Sequence, residues 1–153
     1  MTRDYDSTLD TVTHILRVQG FLTEAIVNLN CRSINHDLSK LQEPEKPMFD
    51  HYTPLLREVE YGTDEYKRIL DEMRKTALQH HYEHNSHHPE YYEDGIRGMS
   101  LFDVLEMLID WKAASERHPS GDIRKSLEMN TQRWGLSDDM ARILANTIEE
   151  FGW

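Results

Sequence analysis

The sequence predicts an all-α protein folded as a single-domain helical bundle. Apolar residues recur at helical spacing along most of the chain, whereas no stretch alternates convincingly with period two. A length of 153 residues suits one domain with one core. Hydrophobic residues at 38% and charged residues at 29% fall in the range of ordinary soluble chains. The expected domain is therefore residues 1–153, with a chemistry-bearing core at about 13–112 and packing helices at about 122–150.

The first helix is expected over Ser7–Asn30. Leu9, Val12, Leu16, Gly20 and Val27 form one side of it, and Ile15, Leu22, Ile26 and Leu29 form another apolar strip. A helix apolar on most sides is expected at the centre of a fold. From Leu41 to Tyr61, Pro44, Pro47 and Pro54 limit the chain to short helical pieces. Thr63 is a helix cap, followed by Asp64 and Glu65, which match the positive end of the helix dipole. That helix is expected to reach about His84, and Pro89 disfavours its continuation. The polar loop HPEYYEDGIRG follows, and then Ser100 and Asp103 form a capping box that opens a helix from Leu101 to about Arg117. HPSG makes a turn, and two helices, Asp122–Trp134 and Ser137–Glu150, finish the chain with Gly135 between them as a C-terminal stop. These last two are expected to serve packing or oligomer contacts.

Seventeen basic against 28 acidic residues leave a formal charge of −11, a field that repels nucleic-acid duplexes. A small phosphorylated ligand is compatible with that charge, because a bound cation and a few lysines reverse the sign within one pocket. No apolar run approaches the length of a membrane span, and MTRDYDSTLD has neither the basic nor the apolar part of a signal peptide. The single cysteine, Cys31, forms no internal disulfide and cannot build a cysteine-rich zinc site. A cytoplasmic protein is expected, with no membrane partner.

Nine histidines are the compositional surprise, and five of them fall between His80 and His88. His14 shares a stripe with Val18, Phe21 and Ala25 on the first helix, where an imidazole is either satisfied within a core or bound to a metal. His36 and Asp37 lie in NHDLSK. Adjacent side chains on a regular helix diverge by roughly 100°, so both reach one ion only at a helix end or bend. The alternative makes Asp37 a cap and His36 a surface residue. In LQHHYEHNSHH, with Tyr66 at zero and about 100° per residue, Leu70, Met73 and Ala77 lie within about 40° of zero, His80 near −40° and His84 near 0°. His81 lies about 60° away on the same reckoning. Periodicity thus predicts that His80 and His84 continue the buried face. Asp110, in EMLIDWKAA, is expected to be partly buried, and therefore paired or metal-bound.

His14, then His36-Asp37, then Asp110 on an all-helical chain resembles the HD superfamily of metal-dependent phosphohydrolases. HILRV at 14–18 is similar to that family's first-helix segment, and HDLSK at 36–40 to its His-Asp-x-x-Lys form; the likeness spans Thr13 to Lys112. A closer likeness is to a small group of phage and bacterial proteins that combine His-Asp-x-Ser-Lys, His-His…Asn-x-His-His and Asp-Trp. Those segments stand here as HDLSK, HHYEHNSHH from His80 to His88, and Asp110-Trp111. That pattern covers His80, His81, Asn85, His87 and His88, so it shares only His80 with the periodicity.

The resemblance implies hydrolysis of a phosphate ester, a nucleotide above all, by metal-activated water. The ligands it implies are His14, His36, Asp37 and Asp110, with His80 completing a second metal site bridged by Asp37 or binding phosphate. The cofactor is one or two divalent ions (Mn, Co, Mg, Zn or Fe). Asp37 and Lys40 are the catalytic candidates, Lys40 neutralising charge on the phosphoryl oxygens. Lys40, His84, Asn85, His87, His88 and Lys112 are the candidates for substrate contact. Some HD enzymes carry a glutamate shortly after the dyad; that position here is Lys40, and Glu43 or Glu45 is the nearest substitute. Two other readings are a di-iron oxygenase of HD type and a non-catalytic, metal-stabilised module that binds a nucleotide or a partner protein. A homo-oligomer is compatible with all three.

Overall fold

The computed structural model describes residues 5–59, 63–117 and 121–153, and within them every side chain except those at positions 76 and 77. Tyr61 and three residues of the expected HPSG turn, His118 to Ser120, lie outside the described residues. The protein is all-α. Among the described residues there are seven α-helices and no strand. The chain divides into two compact units, one ending at His36 and the other running Asp37–Trp153.

The first unit is built from one helix, α1 (Thr8–Asn35), five residues longer at its C-terminus than the spacing predicted. Contrary to the expected central position, α1 holds no buried residue, and Leu9, Leu16, Leu22, Ile26 and Ile34 are each more than half exposed. An apolar pattern reports which faces favour cover, not that they are covered.

The second unit opens with a 3-10 turn at Leu38–Leu41, followed by α2 (Glu45–Glu58). The prolines do not break α2 into short pieces as expected. Pro47 sits in the first turn, where the missing N–H would have no intrahelical partner in any case. Pro54 lies inside the helix and costs about 3 kcal/mol there. The packing of α2 offsets this: Tyr52 forms a small core with Ile69 and Met73, against which Met48, Phe49, Leu56, Val59 and Leu78 pack.

α3 (Asp64–Met73) begins as predicted, with Thr63 Oγ1 accepting the Tyr66 N–H at 3.2 Å. It does not continue as one regular helix to His84. A π-helical turn occupies Arg74–Leu78, and α4 (Gln79–His84) follows it. A π turn closes i→i+5 rather than i→i+4 bonds and so inserts one residue into the helical register. Every residue after it then takes the angular place of its predecessor. His81 inherits the place near −40° that a continuous helix gives to His80 (about 100° per residue). The structure agrees: His81 is 1% exposed, whereas His84 is exposed.

The expected polar loop contains two 3-10 turns, Pro89–Tyr91 and Gly95–Gly98. The second makes a close approach in which a Cβ at Gly98 would stand 2.8 Å from Tyr92 Cβ, so only glycine fits. The capping box forms as the sequence predicts, and α5 (Leu101–Ser115) starts there. α6 (Ile123–Trp134) is capped by Asp122 and ends at Gly135, whose φ of 59° is left-handed; α7 (Asp138–Glu150) is capped by Ser137. These three helices enclose the larger core, in which Met107, Leu108, Ile123, Leu144 and Ile148 are almost wholly buried.

Asp103 does more than cap α5. It is 3% exposed. One oxygen accepts the Ser86 hydroxyl at 2.7 Å, and the other accepts Tyr92 OH at 2.9 Å, Ser100 Oγ at 2.6 Å and Ser100 N–H at 2.8 Å. The loop from Ser86 to Ser100 is thereby tied to the start of α5. Asp103→Ala removes a cap and leaves buried donors without an acceptor. It is expected to lower stability by roughly 2–4 kcal/mol in urea unfolding.

Candidate metal centre

The site begins at a backbone irregularity. Asp37 has φ 57° and ψ 15°, a left-handed conformation that aspartate tolerates better than most residues. The carboxylate is mostly buried. Its Oδ2 accepts Lys40 Nζ at 2.5 Å, while Oδ1 faces His81 Nε2 at 3.2 Å and His87 Nε2 at 3.4 Å. Burial opposes ionisation of Asp37. The facing His81 and His87 rings, together with the Lys40 charge, outweigh it and hold the carboxyl well below the usual carboxylate range.

Three imidazoles complete the arrangement. His81 Nε2 lies 2.9 Å from His88 Nε2, and both His81 and His87 are almost fully buried. One donor atom from each of Asp37, His81, His87 and His88 lies within 4.8 Å of the others. Imidazole rings gathered this closely repel one another once protonated. Burial pushes His88 down to about 3, with the neighbouring His87 and His81 adding to the effect and Asp110 and Asp37 opposing it. His88 is thus held neutral, with a lone pair available, beside an ionised carboxylate. That is the donor state a divalent cation needs.

Behind these donors stand further carboxylates. Glu45, 0% exposed at the start of α2, lies beside His81 Nδ1 at 3.0 Å. Glu106 on α5 lies 3.4 Å from His87 Nδ1. Metal-binding histidines are commonly backed in this way by a carboxylate on the second ring nitrogen. Three imidazole nitrogens and one carboxylate oxygen suit a borderline divalent transition ion better than magnesium.

The model of a family of unknown function, DUF5662, matches residues 3–150. The chain belongs to the DUF5662 family. No curated protein and no solved structure matches this DUF5662 member.

The sequence-predicted residues fall into three sets in this DUF5662 chain. Asp37, His87 and His88 converge, but His87 and His88 do so as candidate metal ligands rather than the expected substrate contacts. Asp110 is half-buried and brings a carboxylate oxygen within 4.8 Å of one from Asp37. Lys40 lies against Asp37 and 5.4 Å from the centre of the Phe49 ring. Asn85 donates to Ser39 Oγ at 3.0 Å and to the His81 carbonyl at 2.8 Å, so it supports the site from inside the protein.

Three other residues of the second unit, His80, His84 and Lys112, stand elsewhere. His80 points its Nδ1 at Glu45 at 2.8 Å and stacks on His84 with ring centres 4.0 Å apart, so neither joins the converging donors. Lys112 pairs with Glu116 at 2.8 Å. His14 lies on an exposed stretch of α1, and His36 closes that helix at the end of the first unit. The donors that converge in the second unit include a residue that periodicity had placed off the buried face: His81. The HHYEHNSHH pattern pointed to it, and the π turn explains why the pattern was the better guide. Glu45 appeared in sequence only as a replacement acid, Asp103 only as half of a capping box, and Glu106 carried no signal of its own.

Two predictions follow from this geometry. Deleting Lys75 from the π turn is expected to restore the α register and return His80 to the buried face. The protein then keeps its helical circular dichroism but loses bound transition metal by elemental analysis. The second concerns metal-free protein. His88 is neutral in the fold down to about pH 3, whereas an unfolded histidine protonates near 6.5. Between those values the unfolded state binds more protons, so stability is greatest above about pH 6.5 and falls with acidification. The slope for this one proton is at most about 1.4 kcal/mol per pH unit. His88→Gln should flatten that part of the stability-against-pH curve.

Proposed function

We propose that this protein is a metal-dependent phosphohydrolase acting on a small phosphorylated substrate, a nucleotide by preference. The observation that carries the reading is the convergence of Asp37, His81, His87 and His88 with the Lys40 ammonium beside them. These residues would hold one divalent transition ion, and Asp110 stands near enough to serve a wider or second site. When bound, such an ion lowers the pKa of water and polarises a phosphoryl oxygen.

The chain's own residues supply the rest. Asp37 stays ionised and divides its two oxygens, Oδ1 toward the imidazoles and Oδ2 toward Lys40. Lys40 is held by that contact at the edge of the donor cluster. There it offers charge to the phosphoryl oxygens of a substrate as they become more negative. His87 and His88 enter from a loop fastened by Asp103, so their positions are fixed before substrate arrives. The likeness to HD enzymes adds His14 and His36 to the ligand set.

The imidazole-rich donor set also suits iron, and that favours one second reading, an oxygenase of HD type. Phosphate release from nucleoside mono- and triphosphates, with manganese, cobalt, zinc or iron supplied, separates the two. The hydrolytic reading predicts free phosphate without oxygen consumption. Asp37→Ala should abolish both metal retention and turnover with the helical spectrum intact. Lys40→Ala should keep the metal and lose about 100-fold in kcat. Tight nucleotide retention without turnover under every metal would instead make this a binding module.

A further inference from the structure

Glu45 lies 35 residues before His80 and is fully buried, yet its carboxylate meets two adjacent histidines. His80 Nδ1 stands 2.8 Å from Oε1; His81 Nδ1 stands 3.0 Å from Oε2, and the Ser39 hydroxyl 3.1 Å from the same oxygen. A carboxylate only accepts, and that decides among the donors around it. The Asn85 amide has two hydrogens for three acceptors within reach: the His81 carbonyl at 2.8 Å, Ser39 Oγ at 3.0 Å and His81 Nδ1 at 3.0 Å. When the first two take those hydrogens, Ser39 Oγ sends its own to Glu45 Oε2 at 3.1 Å rather than to His81 Nδ1 at 3.2 Å. His81 Nδ1 then carries its own hydrogen to Glu45 Oε2 at 3.0 Å; the other tautomer would set a nitrogen lone pair against that carboxylate oxygen. The opposite nitrogen, Nε2, keeps its lone pair and faces Asp37 at 3.2 Å and His88 at 2.9 Å.

We propose that Glu45 is the positioning residue of the metal centre, locking His81 as the Nδ1–H tautomer so that Nε2 is presented to the ion. The inference rests on the metal-binding reading above and adds a residue that touches no reacting group. Glu45 reaches both imidazoles because of the π turn, which brings His81 inward while leaving His80 at the rim, 32% exposed. Carboxylates behind ligating histidines act in this way by fixing ring orientation and raising basicity, and their loss typically weakens metal binding about 10–100-fold.

Glu45→Gln tests this with little change of volume. Glutamine keeps one acceptor oxygen but replaces the other by a donating NH2, so one of the two imidazoles meets a donor instead of an acceptor. The expected result is a zinc dissociation constant raised about 10–100-fold by calorimetric titration, with unchanged circular dichroism. Equal zinc affinity in wild type and Glu45→Gln overturns the proposal. Two-bond 15N–1H correlation spectra of the wild-type histidines give a readout that needs neither metal nor variant. A hydrogen on Nδ1 of His81 supports the assignment, and one on Nε2 overturns it. Failure of the wild type to bind any divalent transition metal sinks the metal reading itself, and the tautomer spectrum then still decides the role of Glu45.

Discussion

One extra residue in the helical turn at Arg74–Leu78 decides which histidines meet. Without it, α3 and α4 would form one continuous helix, and the buried face would pass through His80 and His84. With it, His81 turns inward to Asp37 and Glu45, and His80 and His84 stack at the surface. The donor cluster, the inward approach of Glu45 and the placement of Asn85 all inherit that change of register. A π turn forms weaker local geometry than an α turn, and such turns occur frequently at functional sites.

The polar groups that the turn brings together are costly unless each is matched. Two histidines and two carboxylates, Glu45 and Asp103, are buried almost completely in a protein whose formal charge is already −11. A low-dielectric interior penalises unpartnered polar groups and strengthens satisfied ones. The arrangement is therefore strongly specified: carboxylate against imidazole, hydroxyl against carboxylate, amide against carbonyl. His81 is bonded on one side to α2 through Glu45, and His87 lies near Glu106 on α5. The cluster thus joins the small core around Tyr52 to the larger core around Leu108 through polar contacts.

Features written into a few neighbouring residues were legible in the sequence. Thr63, Ser100 with Asp103, and Gly135 start or stop helices because the relevant hydrogen bond or left-handed backbone lies within about one turn. Asp37 and the His80–His88 stretch were legible as chemistry, since histidine and aspartate in that density have few structural uses. What sequence periodicity could not supply was phase across the π turn, because nothing local in RKTAL demands an i→i+5 bond. Pro54 misled for a related reason: its local cost was readable, but the packing of Tyr52 and Phe49 that offsets it was not. The exposed apolar sides of α1 show the same limit, since spacing encodes amphipathicity and not what a side chain finally touches.

The fastening of the Ser86 loop to Asp103 carries a thermodynamic consequence. Immobilising a backbone costs about 1–2 kcal/mol per residue, and for the loop bearing His87 and His88 that entropy is lost when the polypeptide folds. A cation bound by the proposed donors would meet them already arrested, so its binding free energy would not be reduced by freezing a floppy segment. Tight capture is then compatible with a small heat-capacity change and little movement of the surrounding scaffold.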